Sequence, residues 1–318
     1  MSSVINGYAL TQEFTTAGAG MCRWSFATRD HHEYFIKEFL SPKYPLDEGR
    51  LGPELTKTMR EHADKFFQKR QYYYKRIALC RTGNIMAPID FFRFGAKYYS
   101  VSDRVSGKML DIQDVAALTF DSKLTLIKAL LYSMSKVHQE KIVHSDLKPE
   151  NILIKETEAG YCTAKIIDFD AGFFENEIPE NIEGSQNYFA PEMLQRMNGE
   201  DIKVTVKADV FALGLLIHQY WCGEMPGIPE KYNYAFEAVL NDRSLMLDPS
   251  IPEGLRGLIG RMLAKEAENR PSSQEAWDYL RKTYGPPTES GAAPVPARVQ
   301  KEADNTHWFL LPSEDELD

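Results

Sequence analysis

The apolar positions along this chain of 318 residues change period partway, and the change divides it. Between residues 8 and 40 they alternate with polar ones: Tyr8-Ala9-Leu10, then Trp24-Ser25-Phe26-Ala27-Thr28, then Tyr34-Phe35-Ile36-Lys37-Glu38-Phe39-Leu40. A period of two sends successive side chains to opposite faces, so these stretches predict a small antiparallel sheet. Residues 41–53 hold three prolines and two glycines and predict a loop. Beyond it Leu55, Met59, Ala63, Phe66, Phe67, Tyr74 and Ile77 recur at helical spacing, which predicts one long helix with an apolar stripe. Residues 85–94 and 98–105 return to a strand pattern, joined at Gly95.

From Asp121 the pattern is helical, with Leu124, Ile127, Leu130, Leu131, Met134 and Val137 as the stripe and Asp121 or Ser122 as cap. Residues 173–189 are irregular and acidic. Residues 207–221 are apolar nearly all round and predict a helix through the core, which makes Asp209 a buried carboxylate in need of partners. Two more helices follow over 251–263 and 273–280, the second with Ser272 and Glu275 at capping-box spacing. Residues 286–297 are mainly Pro, Ala, Ser and Gly and read as a linker or disordered tail, continued in polar residues to Thr306. The chain closes on Trp308-Phe309-Leu310-Leu311 and acidic residues, an apolar cluster that suits self-docking or a partner.

Composition narrows the function. A hydrophobic content of 43% and a charged content of 26% are ordinary for a globular protein. The net charge of -9 argues against nucleic acid as a partner. No apolar run approaches the ~18–20 residues of a membrane span, and the first residues lack the apolar core of a secretory signal. Cys22, Cys80, Cys162 and Cys222 are scattered, without metal or disulfide spacing, and suit a reduced, cytoplasmic protein.

The candidate chemistry centres on residues 142–151, Ile-Val-His-Ser-Asp-Leu-Lys-Pro-Glu-Asn. Asp146 can orient an attacking hydroxyl and Lys148 can neutralise a transferring phosphate. Asn151 and the later Asp168, in Ile166-Ile167-Asp168-Phe169-Asp170, supply hard oxygen ligands for Mg²⁺. Gly18 and Gly20 let backbone N–H groups approach phosphate, although a hairpin tip has the same composition. Lys37, inside an apolar strand, either snorkels out or holds a buried anion. Glu61, Asp64 and Gln68 share a helix face; one can pair with Lys37, and otherwise the face is solvated.

On these motifs residues 8–284 resemble the eukaryotic-like serine/threonine protein kinases, and a compact bacterial member in particular. Gly18-Ala19-Gly20 is similar to the glycine-rich loop, Phe35-Ile36-Lys37 to the lysine strand, and His144-Ser145-Asp146-Leu147-Lys148-Pro149-Glu150-Asn151 to the catalytic loop. Asp168-Phe169-Asp170 is similar to the magnesium segment and Ala190-Pro191-Glu192 to the end of the activation segment, with Arg270 as the partner of Glu192 and Asp209 as the anchor of the catalytic loop. Lys148 with Ser185 points to the Ser/Thr class.

The resemblance implies an α+β, bilobal fold: a β-rich N-lobe over 1–104, a larger helical C-lobe over 105–284, and a tail over 285–318. It implies ATP as co-substrate, contacted by Gly18, Gly20, Lys37, Asp103 and Val105, with Glu61 as the partner of Lys37. It also implies Mg²⁺ on Asn151 and Asp168, and a protein substrate. A small-molecule phosphotransferase of the aminoglycoside or choline kinase type and a non-catalytic scaffold are the alternatives.

Several positions depart from the family. Ser145 replaces the arginine that grips an activation-segment phosphate, and no Ser, Thr or Tyr lies between Gly172 and Gly184. Asp170 replaces a glycine and is a residue type that tolerates the left-handed conformation. Arg23 replaces the third glycine, and Phe35 a small residue against adenine. The resemblance with these losses predicts activity without activation-segment phosphorylation.

Overall fold

The alternating stretch becomes the middle of a sheet. A computed structural model describes residues 3–16, 22–46, 52–80, 82–107, 109–156 and 162–285. Strands β1 (Val4–Ile5) and β2 (Tyr8–Leu10) lead to β3 (Cys22–Arg29) and β4 (His32–Phe39). The last two pair antiparallel from Cys22↔Phe39 to Arg29↔His32. Their turn is made by Asp30 and His31, both at positive φ (51° and 65°), which matches the right-handed twist of the flanking strands. Helix α1 (Pro53–Leu79), β5 (Asp90–Phe94) and β6 (Lys97–Asp103) complete this half, and the sheet order is β1-β2-β3-β4-β6-β5.

One face of the sheet buries Ile5, Tyr8, Ala27, Ile36, Tyr99 and Val101 as a cluster. On the other, Phe39, Phe91 and Tyr98 interlock with Phe66, Phe67 and Tyr74 of α1, with ring centroids 5.3–6.4 Å apart. The apolar stripe of α1 starts later than its periodicity predicts, because Leu55 and Met59 are exposed. Ala63 is fully buried, and its carbonyl accepts the Tyr98 hydroxyl. The predicted strand over 85–94 is also divided. Pro88 has no N–H to continue a ladder; Asn84 and Met86 bond Ile166 instead, and β5 starts at Asp90.

The rest is mainly helical. Helix α2 (Ile112–Ala116), not foreseen, is closed by a capping box between Asp111 and Asp114. Helix α3 (Phe120–Gln139) is capped by Thr119, whose hydroxyl accepts the Ser122 N–H, rather than by Asp121 or Ser122. Four short strands follow: β7 (Ile142–Val143), β8 (Ile152–Glu156), β9 (Cys162–Ile166) and β10 (Phe173–Phe174), paired β7 with β10 and β8 with β9. Then come α4 (Pro191–Met197), α5 (Lys207–Cys222), α6 (Ala235–Leu240), α7 (Glu253–Met262) and α8 (Ser273–Thr283). Helix α5 is buried almost all round, as its composition predicts. The Ser272–Glu275 box forms in both directions, at 2.7 and 3.2 Å.

A six-stranded sheet with one helix and a helical half thus make the expected α+β, bilobal arrangement, and residues up to Thr283 form one packing unit. Among the described residues no helix is long and apolar enough to cross a membrane. Gly18, Gly20 and Trp308 to Leu311 lie outside the described residues.

Candidate active site

The catalytic loop is shaped by one buried carboxylate. Asp209, near the start of α5, accepts the backbone N–H of His144 at 2.7 Å and of Ser145 at 3.0 Å, and faces His138 Nε2 at 3.1 Å. A carboxylate taking two backbone donors fixes the direction in which the loop leaves β7. His144 adds to this: Nε2 lies 3.1 Å from the Ile167 carbonyl and Nδ1 accepts the Asp146 N–H at 3.3 Å. Ser145 is left at φ 70°, and Asp146 follows directly beyond this bend.

Asp146 is held on both oxygens. Oδ2 accepts Lys148 Nζ at 2.7 Å and Asn151 Nδ2 at 2.9 Å, while Oδ1 accepts the Ser185 N–H at 2.8 Å. A carboxylate offers about four acceptor sites, so these three donors leave acceptor capacity on Oδ1. The β8–β9 hairpin brings Asn151 beside Asp168: Ile152 pairs with Ile166, and the Ile167 N–H bonds the Asn151 carbonyl at 3.0 Å. Asn151 also donates Nδ2 to the Asp146 carbonyl at 2.7 Å, so its amide oxygen is the atom it could offer to a cation. Among the described residues no cluster of three or more His, Cys, Asp or Glu forms a closed metal cage. An Asn and an Asp with hard oxygens fit Mg²⁺, which takes few protein ligands alongside phosphates.

Lys37 holds two half-buried carboxylates rather than the helix glutamate expected. Its Nζ lies 2.7 Å from Asp168 Oδ1 and 2.9 Å from Asp170 Oδ2. Glu61 is a correction: its side chain is 64% exposed and its ion-pair partner is Lys57 of its own helix. Asp64 and Gln68 are exposed too. The residues α1 sends to this point are Arg70, whose Nη1 donates to the Asp170 carbonyl at 2.9 Å, and Tyr74, whose hydroxyl donates to Asp170 Oδ1 at 2.6 Å. Burial alone would raise the Asp170 carboxyl, but Lys37, Arg70 and the Tyr74 hydroxyl bring it down to about 2. Burial likewise works against the Lys37 ammonium, and the Asp170 and Asp168 carboxylates outweigh it and hold the group well above the usual lysine range. Periodicity did not single out Arg70; the available signal was a cation four residues before Tyr74 in the apolar half of the helix.

Asp170 does not take the left-handed conformation its glycine position suggested; Asp168 does, at φ 60°. Above Lys37 the rings of Trp24, Phe26 and Phe35 pack with centroids 5.3–6.1 Å apart, and the Arg104 guanidinium lies 4.0 Å over Phe26. Phe35 is therefore part of an aromatic roof on the lysine side of the sheet, since β4 residues two apart share a face. Asp103 closes β6 opposite Tyr34, and Val105 follows it, half-buried.

The segment after Asp168 is docked without charge pairing at position 145. The Ser145 hydroxyl donates to the Glu183 carbonyl at 2.7 Å, next to the Ser185–Asp146 bond. Gly184 between them has φ 151°, and a Cβ there would stand 2.5 Å from the Ser145 carbonyl. Two of the acidic residues find partners elsewhere: Glu175 accepts the Val206 N–H at 2.9 Å, and Glu177 pairs with Lys69 of α1 at 3.2 Å. Further on, Arg270 and Glu192 form the expected pair. It is bidentate at 2.7 and 2.8 Å and fully buried.

Residues 56–280 match the protein kinase domain family. The chain is 27% identical over 206 residues to the probable serine/threonine-protein kinase PknB of Lactococcus lactis, covering 60% of this chain and 31% of that protein. It is 30% identical over 189 residues to the serine/threonine-protein kinase CG17528 of Drosophila melanogaster, covering 57% and 25%. To calcium-dependent protein kinase 12 of Oryza sativa it is 30% identical over 182 residues, covering 56% and 32%. This chain belongs to the protein kinase family. It spans about a third or less of the length of these relatives, which come from a bacterium, an insect and a plant and so do not assign it to bacteria.

Proposed function

We propose that this protein transfers the γ-phosphoryl group of ATP to Ser or Thr hydroxyls of protein substrates. The observation that carries the reading is the state of Asp146. Its carboxylate is fixed by Lys148, Asn151 and the Ser185 N–H, with an acceptor site on Oδ1 left for the substrate hydroxyl. Lys148, 2.7 Å from Asp146, stands where it neutralises charge on the transferring group. Asn151 and Asp168 would hold Mg²⁺, which when bound screens the phosphate charge. Lys37, under the aromatic roof, would meet the α- and β-phosphates, and the resemblance assigns Asp103 and Val105 to the nucleotide as well, with Gly18 and Gly20 outside the described residues. The segment from Gly184 to Glu192, held by Ser145, Asp146 and Arg270, matches the part of the family that receives an extended peptide, and this favours a protein over a small-molecule acceptor.

The uncharged docking at Ser145 supports activity without activation-segment phosphorylation. Direct bonds from Ser145 to Glu183 and from Ser185 to Asp146 hold the segment where a phosphate–arginine pair otherwise would.

Incubation with labelled ATP and Mg²⁺, followed by phosphosite mapping, tests the reading. Asp146→Asn should lower turnover at least ~100-fold, the usual scale of a lost acid–base group, and leave ATP binding intact. Wild-type turnover in that variant would refute the assignment.

A further inference from the structure

The lysine anchor has moved from the helix to the magnesium segment. In this family the strand lysine is held by a helix carboxylate; here every acidic or amide candidate on that face of α1 is exposed. In their place α1 presents a cation, Arg70, and a phenol, Tyr74, and both bond Asp170. Asp170 Oδ2 bonds Lys37 at 2.9 Å while Oδ1 accepts Tyr74 at 2.6 Å, so one carboxylate bridges sheet and helix. Two cations, Lys37 and Arg70, then meet two carboxylates, Asp168 and Asp170, and the cluster is neutral. Asp168 is also the residue assigned to the metal, whereas Asp170 carries no other assigned role and bonds Lys37 directly.

We propose that Asp170 is a positioning residue that holds Lys37 for the phosphates and, through Arg70 and Tyr74, couples α1 to the site in place of a helix glutamate. The inference rests on the nucleotide reading of the cleft, though not on turnover. It accounts for two departures at once: a carboxylate at a glycine position and a helix with none facing the lysine. Asp170 keeps an ordinary negative φ, so its place follows from its side chain rather than from backbone conformation.

The test is a binding cycle on the full chain. ATP affinity is measured with Mg²⁺ and with EDTA for wild type, Lys37→Met, Asp170→Asn and the double variant. Loss of a charge-assisted bond predicts about tenfold weaker binding for Asp170→Asn, with and without metal. In the Lys37→Met background the same change should cost nothing further, which a merely structural residue would not show. Tyr74→Phe, which removes one hydroxyl and keeps the ring, should weaken binding about two- to fivefold and serves if Asp170→Asn does not fold.

Moving the carboxylate to the helix, as Arg70→Glu with Asp170→Gly, should recover part of the affinity lost in Asp170→Gly alone. Equal losses in the wild-type and Lys37→Met backgrounds would overturn the proposal. So would a loss seen only with Mg²⁺, which would make Asp170 a metal ligand. If the wild-type protein phosphorylates no peptide, the kinase reading fails while the binding cycle still decides this one.

Discussion

At the scale of single residues, the backbone around Asp146 matters as much as the side chains. Gly184 carries the Ser185 N–H to Asp146 Oδ1, and its φ of 151° and its approach to the Ser145 carbonyl admit no Cβ. Gly184→Ala should therefore cost on the order of 1–3 kcal/mol of local strain and displace Ser185. The expected result is a fall in kcat larger than the change in ATP affinity, read from steady-state kinetics and a nucleotide titration. Unchanged kcat would show that the Ser185 contact is dispensable. Asp168→Asn should do the opposite, weakening Mg²⁺-dependent nucleotide binding first.

At the scale of elements, the question is what keeps the peptide-side segment against the helical half. Arg270 is fully buried, forks onto Glu192, and also donates to the carbonyls of Ala264, Lys207 and Lys265 at 2.8–2.9 Å. Removing one partner of such a pair strands a buried charge and typically costs on the order of 3–5 kcal/mol. At roughly 2–4 °C per kcal/mol, Arg270→Ala should lower Tm by about 10 °C while ATP affinity of the folded protein stays near wild type. A scanning calorimetry trace without a shift would remove the pair from the structural account. Helix α1 is tied down as well: Tyr72 and Tyr73 pack against Phe174 with ring centroids 5.6 Å apart, and Arg76 pairs with Glu140.

For the whole molecule, the sheet supplies Lys37 and the helical half supplies Asn151 and Asp168, so nucleotide and metal together should stabilise the fold. Ligand at 100 times its Kd adds about 2.7 kcal/mol. ATP with Mg²⁺ should raise Tm, and EDTA should remove most of that rise; an equal rise without metal would separate Asn151 and Asp168 from cation binding. The docked activation segment leads to a second expectation. Protein freed of phosphate should phosphorylate a generic Ser/Thr substrate from the first time point. A lag removed by pre-incubation with ATP, with phosphate at Ser185 or Tyr188, would refute it.

Chemistry within a few residues of chain was readable without the fold. Asp146, Lys148 and Asn151 lie on one loop, and a single hairpin carries Asp168 to them, so local spacing already placed them together. The burial of α5 and of Asp209 followed from composition alone, because a helix apolar on all sides can only sit in a core. Questions of rotation and register needed the tertiary structure. A helix of 27 residues has several candidate faces, and the ring packing of Phe66, Phe67 and Tyr74 against Phe39, Phe91 and Tyr98 decided which one meets Lys37. That packing turned Glu61 to solvent and brought in Arg70 and Tyr74, a choice made by contacts between residues far apart in the chain, which no local pattern records.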